Sequence, residues 1–200
     1  MSEWVRICLK QDRMAKHTQF KKQKEETKVW YVMQVQTGME ERICAQCRRK
    51  ISETVLEQCF IPRYEVKKHI QGVWKTQKQI LFPGYVFVVT SDIVALYAEL
   101  KIIIGLTKLI GTGREIVPIS ESEKEFLLGF GGEEQVVQMS EGIIIGSQVV
   151  IHCGPLKGKE GYIRKIDRHK RKAWLELPLL GGMQKVQVGL EIVSKKSDKE

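Results

Sequence analysis

Cys44 and Cys47 stand in a C-x-x-C spacing, in which two thiols can act as a redox pair or as half of a zinc site. Zinc would need two further ligands. No second cysteine pair exists, and His17, His69, His152 and His169 share no ligand spacing with the first. Both thiols also fall on the apolar side of a helical pattern beside Ile43 and Ile51, where free cysteine behaves as a small hydrophobe. Glu133 and Glu134 lie in a glycine-rich stretch. No Ser-His-Asp order, phosphate loop or paired-acid motif has the strand and helix context its chemistry needs. The expectation is a non-enzyme with no metal and no cofactor.

The chemistry that remains is ionic and aromatic. The 200 residues carry 33 Lys and Arg against 24 Asp and Glu, a net charge of +9, and a basic surface attracts polyanions. Between 30 and 128 there are thirteen bases against eleven acids, but between 147 and 193 there are nine against four. The nine are Lys157, Lys159, Arg164, Lys165, Arg168, Lys170, Arg171, Lys172 and Lys185; His169 lies in the same turn, D-R-H-K-R-K at 167–172, and Trp174 follows it. Clustered bases bind nucleic acid by releasing condensed counterions, and an indole can stack on an unpaired base. These eleven residues are the candidate RNA-binding set. A solvated hairpin and a core tryptophan are the plain alternatives.

The elements that must position this set follow from periodicity. Residues 1–28 hold eight bases and four acids with no sustained period and read as a basic, disordered tail. V-W-Y-V-M-Q-V from Val29 is a buried strand. Ile43, Cys44, Cys47, Ile51 and Val55 share one face of a helix expected over 40–57. C-F-I-P-R-Y-E-V-K-K-H-I and V-W-K-T-Q-K-Q-I form a strand pair turning at Gln71-Gly72, and L-F-P-G-Y-V-F-V-V-T is a further strand. Ser91 or Asp92 caps a second helix. A third begins at Ser120, whose spacing to Glu123 is that of a capping box. The glycines and acids of 129–142 read as a linker. Beyond it, S-Q-V-V-I-H-C, G-Y-I-R-K-I-D, K-A-W-L-E-L and Q-K-V-Q-V-G are short strands without a helix, the pattern of a small barrel. The fold class is α+β: a first domain at 29–128 with an antiparallel sheet flanked by helices, and an all-β barrel at 143–195. No apolar run approaches the length of a membrane span, and the start M-S-E-W-V-R-I-C-L-K lacks the apolar core of an export signal. The odd number of cysteines, at irregular spacing, reads as reduced thiols in a cytoplasmic protein.

Four segments in order, W-Y-V-M-Q-V, L-F-P-G-Y-V-F-V, G-T-G-R-E-I-V-P-I-S and V-V-I-H-C-G-P-L-K-G-K-E-G-Y-I, resemble the NusG family of transcription elongation factors over about 30–193. The last resembles a KOW motif, with Gly161 ten residues after Ile151. The resemblance implies an NGN domain seated on the clamp helices of RNA polymerase, and a tethered KOW barrel that recruits RNA, a ribosomal protein or a termination factor. Matched to the family's motifs, the polymerase-binding candidates are Tyr31, Gln34, Phe82, Tyr85 and Phe87, with Leu109, Gly111, Thr112 and Gly113 of the glycine loop. Apolar aromatic anchors suit the grip on a coiled-coil tip, though alternate strand residues must also face a core. Arg42, Arg48, Arg49 and Lys50 are candidates for contact with non-template DNA.

The loop G-P-L-K-G-K-E-G carries Leu156 and Lys157 in the region where the family often contacts protein partners through a phenylalanine. With the basic barrel, this makes the chain resemble the family's specialised antiterminators, the LoaP branch more than RfaH, with a nascent RNA hairpin as the barrel's ligand. The competing reading is an adaptor whose barrel recruits a ribosomal protein or termination factor. A monomer with no membrane partner is expected, and a fold-switching barrel is not.

Overall fold

Strict alternation in β1 (Val29–Val35) sends Trp30 and Val32 to one side of a sheet and Tyr31, Met33 and Val35 to the other, and both sides are covered. The computed structural model describes residues 28–112 and 115–196. The basic tail expected at 1–28 lies outside them except for Lys28. The first domain's sheet has the order β2 (Gln58–Phe60), β5 (Tyr85–Thr90), β1, β6 (Leu106–Leu109), with antiparallel pairing throughout. Two helices, α1 (Glu40–Lys50) and α2 (Ile93–Leu100), cover the Tyr31 side through Ile43, Cys44, Cys47, Leu96 and Leu100. Asp92 caps α2, its carboxylate accepting from the Val94 and Ala95 amides at 3.0 Å each.

Three expectations change. The helix expected over 40–57 ends at Lys50. Ile51 is extended, and the Ser52 hydroxyl accepts from the Thr54 amide, a local bond that competes with helix continuation. The strand expected from Cys59 to Ile70 breaks at Pro62. On one side β2 joins the main sheet, and on the other β3 (Arg63–Ile70) forms a hairpin with β4 (Val73–Ile80). Proline has no N–H for a ladder, and positive φ at Gln71 and Gly72 makes the hairpin turn. The stretch expected as a linker, 129–142, is ordered structure. The third helix, α3 (Glu121–Gly131), runs into it, β9 (Val136–Val137) pairs in parallel with β3, and β10 (Ser140–Ile145) opens the barrel sheet.

The barrel sheet has the order β11 (Gln148–Cys153), β10, β14 (Gly182–Lys196), β13 (Lys172–Leu179), β12 (Ile163–Asp167). Pairing is antiparallel except between β10 and β14. Ala173, Leu175, Leu177 and Leu179 alternate inward on β13 to meet Val186, Val188 and Leu190 of β14.

The barrel is docked on the first domain. Its core is continuous with the Trp30–Val32 side of the sheet, β3 and α3. Phe126 of α3 meets Tyr162 edge-on at 5.7 Å. Glu191 lies between Lys67 of β3 at 2.6 Å and Arg171 of the barrel at 2.9 Å. The Arg171 guanidinium also covers the Trp74 ring of β4 at 3.9 Å. At Gly189 a Cβ would collide with the Glu65 carbonyl and the Met139 sulfur, so only glycine allows β14 to pass this close to β3. Glu123 completes the capping box with Ser120 and also accepts from the Leu180 amide of the barrel at 2.6 Å. Burial raises its pKa, but the bonds from Ser120, Leu180 and Gly181 outweigh that and hold the carboxyl below its usual range.

Candidate nucleic-acid interface

While β13 sends its leucines inward, Lys172, Trp174 and Glu176 point outward with partial exposure. In register across the sheet, Lys165 of β12, Trp174 and Gln187 of β14 form one row. Trp174 is therefore a surface ring, and the Lys165 ammonium sits 5.3 Å from its centre. One row along, Glu176 holds Arg164 at 3.0 Å and has Lys185 at 3.9 Å, so part of that charge is internally compensated. On the other side of the tryptophan, Lys172 reaches Gln187 at 3.4 Å. Burial, and after it the positive charges of Lys68 and Lys170, lower the Lys172 pKa against an opposing effect of Asp167.

The turn between β12 and β13 exposes Arg168, His169 and Lys170, with the Asp167 carboxylate accepting from the Lys170 amide at 2.9 Å. Arg171, at φ 51, points instead to the domain seam, where Glu191 of the barrel's own β14 and Trp74 of the first domain occupy it. Lys157 is exposed and Lys159 half-buried in the loop that follows β11. Leu156 of the same loop is fully buried, its amide donating to the Ser140 hydroxyl at 3.1 Å. It is a core residue, and the loop presents no apolar anchor at that position.

The polymerase-binding candidates divide between the two sides of the sheet. Gln34 pairs with Tyr85. Tyr85 is half-buried against the core shared with the barrel, which also holds Phe82 and Phe87, 5.8 Å apart. Tyr31 lies on the opposite side under the helices, as does Leu109. Gly111 and Thr112 form the two-residue strand β7, paired with β8 (Glu115–Ile116), and Gly113 lies outside the described residues. Phe82 and Phe87 are 3% and 1% exposed, which leaves Gln34 and Tyr85 as the most accessible of this set on the barrel side.

Arg42, Arg49 and Lys50 are exposed on the outer face of α1. Arg48 departs from them, because its guanidinium donates twice to the Cys59 carbonyl, at 2.9 and 2.6 Å. Cys44, Cys47 and Cys59 are buried free thiols. Hydrogen bonding with Cys59 lowers the pKa of Cys44 and Cys47 and raises that of Cys59. Among the described residues no group of three His, Cys, Asp or Glu could hold a metal ion, and no helix is long and apolar enough to cross a membrane.

Sequence reasoning missed Glu40. Its carboxylate is 1% exposed and accepts from the Gly38 and Gly84 amides at 2.7 Å each. At the first turn of α1, where the helix dipole favours an anion, it fixes the Pro83-Gly84 turn that carries Phe82 and Tyr85. It also missed Trp74 and Glu191, which become informative only once the domains are seen to touch.

A family model described as transcription termination factor nusG matches residues 28–128. The transcription termination/antitermination protein NusG of Staphylococcus aureus strain Mu50 is 26% identical over 176 residues, spanning 84% of this chain and 96% of its own length. The NusG protein of strain N315 matches to the same extent. A solved structure described as "Domain interaction in Thermotoga maritima NusG" is similar with a TM-score of 0.54 at 21% identity, covering 83% of this chain and 94% of that one. That likeness concerns the fold.

Proposed function

Because the chain belongs to the NusG family of transcription termination and antitermination factors, we propose that it is an operon-specific processive antiterminator, akin to the LoaP branch, which holds RNA polymerase through its first domain and nascent RNA through its barrel. One observation carries the RNA half. The outer face of β12–β14 presents a half-exposed indole flanked by Lys165, Lys172 and Gln187, with the basic turn 168–170 beside it. A ring among ammonium groups suits a stacked base between phosphates. The buried Leu156 speaks against the adaptor reading, because the loop that would grip a ribosomal protein or termination factor keeps its apolar side chain inside.

The polymerase half rests on the family and on the aromatic side of the sheet. Tyr85 and Gln34 lie on the side shared with the barrel, so engagement of the clamp helices there requires the barrel to move away. Arg42, Arg49 and Lys50 project from α1, on the side under which Tyr31 packs, and form the proposed contact with non-template DNA.

Tyr85→Glu tests the polymerase half. Tyr85 is half-buried, so the variant should keep the fold, checked by its melting curve. Capture by immobilised RNA polymerase should weaken at least about tenfold, a loss of roughly 1.4 kcal/mol. A folded variant with unchanged capture refutes this site.

A further inference from the structure

Lys68 and Lys75 stand directly opposite each other near the tip of the β3–β4 hairpin. Both are exposed, and like charges in direct cross-strand register destabilise a pair. Docking brings a third ammonium toward this spot, since the turn between β12 and β13 lies against the hairpin through Arg171 on Trp74, and the charge of Lys68 acts on the next residue, Lys172. The nearby carboxylates are engaged. Glu191 holds Lys67 and Arg171, and Asp167 accepts from the Lys170 amide. Among the described residues no ion pair involves Lys68, Lys75 or Lys172. The Trp74 side of the hairpin is also tied down, its ring lying 5.2 Å from that of His69 and 3.9 Å from the Arg171 guanidinium. This contact fixes the hairpin against the basic turn. The fold thus holds cations of two domains together without an ion pair among the described residues and with only partial relief from Asp167 at Lys172, in line with the outward row of Lys172 and Trp174.

We propose that Lys68 and Lys75 extend the barrel's binding face across the domain seam, so that the docked chain grips one RNA segment with both domains. This rests on the RNA reading of the barrel and adds a site on the first domain. Phosphates bridge the mutually repelling ammonium groups of Lys68, Lys75 and Lys172, and an unpaired base stacks on Trp174. RNA fits better than an acidic protein because a stacking ring stands within the row of cations. The seam site belongs to the docked chain, before polymerase is engaged; once the barrel moves away, RNA stays on the barrel's own face around Lys165 and Trp174.

The test is fluorescence anisotropy of a labelled RNA hairpin with an unpaired loop, titrated with the full chain at several salt concentrations. Each lost phosphate contact flattens the plot of log affinity against log salt by about 0.7 to 0.9. Lys68→Ala with Lys75→Ala should therefore flatten it by about 1.4 to 1.8 and weaken binding about tenfold or more at low salt. Lys101→Ala with Lys108→Ala removes the same charge elsewhere and should leave the slope at the wild-type value. If Lys165→Ala with Trp174→Ala abolishes binding while the Lys68/Lys75 variant keeps the wild-type slope, the barrel reading stands and the seam site is overturned. If neither double variant changes binding, or if polyglutamate displaces the RNA as well as unlabelled RNA does, both fall.

Discussion

Glu191→Lys is expected to release the barrel from the first domain. The native carboxylate lies between Lys67 and Arg171, with the three side chains 30%, 20% and 25% exposed. The substitution removes the anion and leaves three cations facing one another. Breaking a buried pair by removing one partner costs about 3–5 kcal/mol, and the water still reaching these groups brings this to roughly 2–3. Contacts between domains of one chain resemble transient interfaces, so a penalty of that size should lower the docked population by about 30- to 150-fold. Small-angle scattering should then report a larger radius of gyration, and capture by RNA polymerase should rise as the Gln34–Tyr85 face is uncovered. Gly189→Ala acts by steric collision alone and should shift both readings the same way. An unchanged radius of gyration in both variants would contradict the role assigned to this contact.

Phe87→Ala should have the largest effect on stability. The ring is 1% exposed, stacks on Phe60 at 5.5 Å and meets Phe82 at 5.8 Å. Deleting a buried phenylalanine costs about 3–5 kcal/mol through lost transfer energy and the cavity left behind. That is a large share of the roughly 5–15 kcal/mol that holds a domain folded, and it corresponds to a fall of at least about 12 °C in melting temperature. Thermal unfolding followed by circular dichroism gives the answer, and a loss below about 1 kcal/mol would place Phe87 outside the core. Loss of polymerase binding in this variant would reflect unfolding, which is why Tyr85→Glu is the informative substitution at the neighbouring site.

Much of the fold was legible because it is written in local periods. The alternation of β1 and β13, the positive-φ turn at Gln71-Gly72 and the Ser120–Glu123 capping box are each encoded within a few residues. What the sequence concealed depends on contacts between distant segments. Gly129 and Gly131 make the end of α3 look like a linker, since glycine disfavours a helix interior by about 1 kcal/mol. Phe126 and Phe130 nevertheless anchor that turn in the shared core. The run from Cys59 to Ile70 read as one strand, and that the two sides of Pro62 join different sheets shows only in their pairing. Tyr31 and Phe82 look alike as aromatic candidates, yet only the pairing register shows that they lie on opposite sides. The basic turn 167–172 was legible as charge. That Arg171 would be diverted to Trp74, and that the charge of Lys68 would act on Lys172, required the docked arrangement.

One chain is expected to hold polymerase with one domain and RNA with the other. The most direct test is ultraviolet crosslinking of the full chain in actively transcribing cells, followed by purification through RNA polymerase and mass mapping of the adducts. RNA adducts should fall on peptides containing Lys165 to Trp174, in chains that co-purify with polymerase. Polymerase-bound chains whose barrel carries no RNA, crosslinked instead to a ribosomal protein or termination factor, would contradict it.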